Sequence, residues 1–248
     1  MMQKITSQQN DTIKHIVKLQ STSYRNKHKQ FIAQGYSVCK TLIDQQYQLI
    51  DIYMTESAWN KYHETYTDLP ITLVTDAIMH KISTTVTPSG IVAVFALPQQ
   101  SYIPTHNAMA LYHIQDPGNL GTLIRTAAAM NIENVFIIDG VDPYSPKVIQ
   151  ATAGTIAYTN IITTDWQNFI NKHTHIATCA LVVKDGQSPE YINISNSIIV
   201  IGNEGQGLPI EIIKQCSQHL TIPMPGQTES LNAAIAGSIA LYIKSVQN

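Results

Sequence analysis

The chain has 248 residues, 44% of them hydrophobic, and a formal net charge of −2. That length can bury roughly 70 to 75% of the unfolded surface, in one large domain or two modest ones, without disulfide staples. Its three cysteines are odd in number and far apart, no apolar run approaches a membrane span, and the opening residues lack a signal-peptide core, so a cytoplasmic protein with no membrane partner is expected.

Charge is segregated along the chain. Residues 1–40 hold seven Lys or Arg and one acid, Asp11, a net of +6, whereas 41–100 and 101–248 each come to −4. Residues 10–20 place Ile13, Ile16, Val17 and Leu19 at helical spacing behind Asn10 and Asp11 as cap candidates, which predicts a helix carrying Lys14 and Lys18 one turn apart. Arg25, Lys27 and Lys29 follow at alternate positions. Such a cluster reads either as an ordinary solvated face or as a phosphate-binding one, and on the second reading Lys14, Lys18, Arg25, Lys27 and Lys29 are the candidate RNA contacts. A second helix is expected over 36–43 and strands over 49–55, 71–75 and 91–97, giving a small α/β unit over 1–97. Residues 98–107, with two prolines and no charge, read as a linker. A second domain over 108–248 alternates strand-like and helix-like runs at 109–114, 119–131, 134–139, 146–154, 165–173, 175–183, 197–202, 208–216, 219–223 and 230–246. Repeated βα units imply a mostly parallel sheet with helices on both faces.

Three strings in this second half carry the chemistry: DPGNLGTLIRTAAA (116–129), VIGNEGQGLP (200–209) and IPMPGQTESLNAAIAG (222–237). Each leaves a strand-like run through a Gly- and Pro-rich turn into a helix-like run. The carboxyl ends of strands are where open α/β sheets bind ligands, so Asn119, Arg125, Glu204, Ser230 and Asn232 are expected in one site. GNEGQGLP has neither GxGxxG spacing nor a GK[ST] ending, which leaves nicotinamide and ATP sites with little support. Arg125 is one of two arginines beside thirteen lysines, so a planar guanidinium is wanted there. Ser230 is expected to cap a last helix over 230–246 whose small residues allow close approach of another helix and suit an interface between two copies. His173 and His175 could share a strand face, but no spacing completes a ligand set, and no metal is expected.

Together the strings resemble the signature motifs of the SpoU (TrmH-like) family of RNA ribose 2′-O-methyltransferases, in the SPOUT superfamily. The first motif shows as Asn119, Gly121, Arg125 and Thr126, the second as Gly202, Glu204, Gly207 and Leu208, and the third as Ile222, Pro223, Met224, Gly226, Ser230, Leu231 and Asn232. The N-terminal hundred residues resemble the family's ribosomal-protein-like RNA-binding module, with Gln34 where Glu is usual; Gln150 stands where a basic residue is common. The resemblance implies an α/β methyltransferase domain with a trefoil knot, S-adenosylmethionine as cofactor, ribosomal or transfer RNA as substrate, with ribosomal RNA the first expectation, and a homodimer. It implies cofactor contacts at Gly202, Gly207, Ile222, Met224 and Leu231, and catalytic positions at Asn119, Arg125, Glu204, Ser230 and Asn232. The competing expectation is a non-catalytic RNA-binding or ribosome-assembly protein on the same scaffold.

Overall fold

The computed structural model describes residues 3–66, 69–100 and 102–247. It divides into two compact units. One takes in the chain up to Gln99 together with Tyr144–Ala157, and the other Gln100–Pro143 with the chain from Tyr158 onward. Segment 144–157, assigned by sequence to the second domain, thus clusters with the first.

The first unit begins with β1 (Gln3–Ile5), α1 (Asp11–Lys18), α2 (Thr22–His28), β2 (Gln30–Gln34) and α3 (Tyr36–Asp44). It continues through β3 (Leu49–Met54), α4 (Glu56–Tyr66), β4 (Ile71–Val74), α5 (Asp76–Ile82) and β5 (Ile91–Ala96). The sheet runs β1-β4-β3-β5-β2 and is mixed: β4 pairs parallel with β1 and β3, while β5 is antiparallel to β3 and β2. Asn10 caps α1 by accepting from Thr12 N at 2.9 Å, and the helix buries Ile13 and Ile16 against Ile78, Met79 and Ile82 of α5. Lys14 and Lys18 are left exposed on its outer side. Sequence periodicity missed β1, α2 and β2, each short and carrying polar residues.

Arg25 requires a correction. It is buried, 1% exposed, with Nη1 donating to the Leu19 carbonyl at 2.8 Å and Nη2 to Thr22 Oγ1 at 2.9 Å. The alternate-residue pattern that grouped it with Lys27 and Lys29 belongs to an extended chain, but this stretch is helical, so Arg25 points inward and braces α2 on α1. Lys14, Lys18, Lys27 and Lys29 remain exposed.

The second unit holds β6 (Ala108–Tyr112), α6 (Pro117–Ala129) and β7 (Asn134–Ile138); α7 (Pro146–Thr152) lies in the segment that clusters with the first unit. Then follow β8 (Asn160–Thr164), α8 (Trp166–Lys172), β9 (Ala177–Leu181), β10 (Ser197–Ile201), α9 (Ile210–Ile213), β11 (Gln218–Leu220) and α10 (Ala233–Val246). Its six strands are all parallel, in the order β11-β9-β10-β6-β7-β8. Both faces are covered, as parallel sheets require. On one, alternate residues Ala108, Ala110, Phe136, Ile138, Ile198 and Val200 pack with Trp166, Phe169, Leu208 and Ile212. The other face meets α6 and α10: Gly237 brings α10 so close that a Cβ there would stand 2.5 Å from Leu123 Cδ2 and 2.7 Å from Ile201 Cδ1. Edge strand β8, with sequence NIITT, was not expected, since a short half-polar run has no clear period.

His173 caps the end of α8 rather than sitting on a strand; it is buried among Tyr102, Phe136 and Phe169. Its Nδ1 lies 2.7 Å from the Phe169 carbonyl, and burial pushes its pKa down. All three cysteines are buried and free. No helix among the described residues is long and apolar enough to cross a membrane.

Candidate active site

The chain passes outward from β6 to β7 and β8, then returns to lay β10 beside β6 and β9 beyond it. The reversal puts a crevice at the carboxyl ends of β6, β9 and β10, the usual place for a ligand in such sheets. The first two sequence strings begin there, at the ends of β6 and β10, and the third begins just past β11, the strand beside β9.

Asp116 ends the turn after β6 and caps α6, its Oδ1 accepting from Asn119 N at 2.8 Å, with Pro117 in the first turn. Asn119 therefore lies in the first turn of α6, at its mouth. Its Nδ2 donates to Glu204 Oε1 at 2.9 Å, and its Oδ1 accepts from Asn232 Nδ2 at 3.0 Å. Asn232 in turn caps α10, its Oδ1 accepting from Ala234 N at 2.9 Å and Ile235 N at 3.3 Å. The cap is Asn232, not Ser230, and the helix starts at Ala233. One continuous hydrogen-bond chain, Glu204–Asn119–Asn232, thus ties the three strings together.

Beside it lies a cavity of about 210 Å³. Gly202, Gly207, Ile222, Met224 and Leu231, the five expected cofactor contacts, all line it, as do Glu204 and Ser230. At Gly202 backbone passes against backbone: a Cβ would stand 2.4 Å from the Gly207 carbonyl carbon and 2.5 Å from Leu208 N. Gly207 has φ +68°, which suits glycine, and the space a Cβ would occupy there is open. The walls are mostly apolar, and Glu204 is the one charged side chain among the lining residues. Such a donor set fits a flat ligand bearing positive charge; a polyphosphate would meet no cation.

Arg125 lies apart from this network. It is exposed, is not part of the cavity wall, and makes no hydrogen bond or ion pair among the described residues. The next residue, Thr126, joins α6 to α10 through Ser238 Oγ at 2.9 Å.

Sequence reasoning missed three contributors. Asp116 was signalled by Asp-Pro ahead of a helix. Asn203 shapes the second loop, its Oδ1 accepting from Gly205 N at 2.7 Å and Gln206 N at 3.3 Å while Nδ2 donates to the His113 carbonyl at 2.9 Å. An Asn directly after a glycine in a Gly-rich stretch is the usual signal of such a turn. Leu181, Val182 and Val183, which complete the cavity wall, had no signal because strand order is invisible in a linear pattern. Among the described residues no cluster of three or more His, Cys, Asp or Glu is placed to hold a metal ion.

A parallel, doubly covered sheet with a glycine-lined cavity and three hydrogen-bonded loops at its reversal point describes an α/β domain built to hold a ligand at its strand ends. The SpoU rRNA Methylase family matches residues 106–242 and an MRM3-like substrate binding domain matches residues 10–93. The chain belongs to the SpoU rRNA methylase family. It is 31% identical to an uncharacterised tRNA/rRNA methyltransferase of Synechocystis, over 96% of this chain and 92% of that one. It is 25% identical to the 23S rRNA (guanosine(2553)-2′-O)-methyltransferase RlmP of Bacillus subtilis, over 97% and 98%. The fold matches that of an AdoMet-bound rRNA methyltransferase from Sinorhizobium meliloti with a TM-score of 0.85 at 24% identity, covering 98% of this chain and 97% of that one.

Proposed function

We propose that the protein transfers the methyl group of S-adenosylmethionine to a ribose 2′-hydroxyl of structured RNA, ribosomal rather than transfer RNA. The observation that carries this reading is the cavity itself: apolar walls, close-packed glycine backbone and a single charge, the carboxylate of Glu204. A sulfonium cofactor is cationic and flat at its adenine end, which suits those walls; Gly202, Gly207, Ile222, Met224 and Leu231 would hold it.

When bound, the cofactor supplies an electrophilic methyl whose bond to sulfur breaks as the bond to the ribose oxygen forms. The protein must hold the 2′-oxygen in line and help it lose its proton, and orientation alone can lower such a barrier by several kcal/mol. Asn119, Glu204 and Asn232 fix the three loops that set this geometry. Arg125 has its guanidinium free to grip the neighbouring phosphate and to stabilise the oxyanion that develops at the 2′-position, an electrostatic role that suits it better than that of a base. Ser230, exposed at the cavity rim, offers a hydroxyl to the ribose or the cofactor.

The N-terminal α/β unit is read as the RNA-binding part and residues 98–107 as the linker. The loops over 202–209 and 221–232 are read as the knotted segment, and the protein as a cytoplasmic homodimer. The exposed apolar residues Ile235, Tyr242 and Val246 on α10 support pairing, since they form one stripe at helical spacing. Arg125→Ala should abolish ribose methylation in a tritiated-methyl assay while leaving S-adenosylmethionine affinity by calorimetry within a few-fold; an active variant would refute the assignment.

A further inference from the structure

The first unit carries a group of rings that the methyl-transfer chemistry does not use. Tyr24 and His28 stand at i and i+4 on α2, so they share one face, and their ring centroids lie 4.1 Å apart at 32°. His15 of α1 meets both edge-on, at 5.4 Å and 5.1 Å. His15 is locked through both nitrogens: Nδ1 is 3.0 Å from Tyr24 Oη and Nε2 2.7 Å from Gln30 Oε1. An amide oxygen only accepts, so in the neutral ring Nε2 carries the proton and the Tyr24 hydroxyl donates to Nδ1. The buried Arg25 guanidinium, bonded to the Leu19 carbonyl, fixes α2 against the end of α1. The ring group is therefore rigid before any ligand arrives, while His28 itself is exposed.

Cations surround it. Lys18 Nζ lies 5.8 Å from the Tyr24 ring centroid, and Lys27 and Lys29 flank His28 in the chain, both exposed. The nearest acid in sequence, Asp11, is engaged by Lys14 at 3.2 Å. The pKa of His28 is lowered by partial desolvation first and then by His15, Lys27 and Lys18, a direction that favours the neutral ring.

We infer that His28, backed by Tyr24 and His15, is a stacking platform for an unpaired RNA base, with Lys18, Lys27 and Lys29 holding the adjoining phosphates. This rests on the RNA-binding reading above and deepens it. An aromatic face is needed only for a base that leaves its own stack, since bases inside an A-form helix are covered above and below. The bound element is thus a loop, bulge or splayed nucleotide rather than continuous duplex.

The test uses the full chain and a hairpin RNA with 2-aminopurine in its loop, titrated at several salt concentrations. His28→Ala should weaken binding about tenfold with an unchanged salt slope and should abolish the quenching of 2-aminopurine on binding, and His28→Phe should restore both. Lys27→Gln should instead flatten the slope by about 0.7 to 0.9 and keep the quenching. His28→Ala that binds as tightly as the parent, or that changes only the slope, would overturn the stacking role. Absence of RNA binding by the parent chain would overturn the underlying RNA-binding reading instead.

Discussion

Gly202→Ala is the most direct test of how the cavity is built. The added Cβ would stand 2.4 Å from the Gly207 carbonyl carbon, 2.5 Å from Leu208 N and 2.7 Å from the Gly207 oxygen, all backbone atoms. The loop cannot yield by turning a rotamer. Gly207 N already donates to the Asn203 carbonyl at 2.9 Å, and the Asn203 side chain is bonded to Gly205, Gln206 and His113. Restoring ordinary contact requires the 203–208 loop to move about 1 Å, and overpacking of that kind costs about 3 kcal/mol, the upper end of its usual range. At about 2 to 4 °C per kcal/mol this is a loss of about 6 to 12 °C in Tm. Gly237→Ala is the control: its clashes, at 2.5 and 2.7 Å, are with the tips of the Leu123 and Ile201 side chains, and alanine gains about 1 kcal/mol of helix propensity. It should stay within about 4 °C of the parent. Fluorescence of Trp166, buried in this unit, reports the transition in a Trp59→Phe background, and calorimetry reports S-adenosylmethionine binding, which Gly202→Ala should abolish. Equal melting and equal cofactor affinity in Gly202→Ala and the parent would refute this account of the loop.

Arg25→Leu should cost about 2 kcal/mol in urea unfolding, because it leaves the buried Leu19 carbonyl without its donor. Lys244 is buried with Nζ bonded to the carbonyls of Ser197, at 3.0 Å, and Ser195, and burial lowers its pKa to about 8 from 10.5. Between these values the unfolded chain holds the proton that the folded chain has released, so this residue's contribution to stability rises with pH across that window and is flat below it. Buried Cys39, Cys179 and Cys216, with thiols raised to about 12, 12 and 11, act with the opposite sign, so the readout is the stability difference between parent and Lys244→Met. A difference that does not change from pH 8 to 10.5 would contradict the assignment. Tyr242→Glu places a charge in the exposed α10 stripe and should convert a dimer to a monomer in sedimentation equilibrium; a parent that is already monomeric would remove the basis for pairing.

Much of the second unit was legible because its strands are continuous apolar runs, such as SIIVI and NVFII, with helices between them. The three strings were legible for a different reason: Gly, Pro, Asn and Asp report turns and caps wherever they cluster. Pairing order is not a property of local pattern, so the contribution of β9 to the cavity had no signal, whereas the Asn119–Asn232 contact across 113 residues of chain follows from the expectation that the three strand ends share one site. Arg25 shows the opposite failure. Its charge was visible in the sequence, but the side chain's direction depended on α2, whose TSYRNKH offers no apolar period to reveal a helix.

The five expected catalytic positions separate into two kinds once their partners are known. Asn119 gives both ends of its amide to Glu204 and Asn232, and Asn232 commits its oxygen to the start of α10. Each amide nitrogen keeps a second N–H, but the bonds already made bring the first turns of α6 and α10 and the loop after β10 into one frame. Breaking one link leaves polar groups to be resolvated at a solvent-accessible edge, a modest cost of about 1 kcal/mol, yet it frees loops whose alignment the in-line geometry depends on. Arg125 is the reverse, a strong and permanently charged donor left without a partner among the described residues, two turns along the helix that Asn119 anchors. No described residue takes up that guanidinium, so its charge is open to a ligand. In the proposed reaction Asn119, Glu204 and Asn232 therefore act as positioning residues, and Arg125 is the group proposed to meet the RNA.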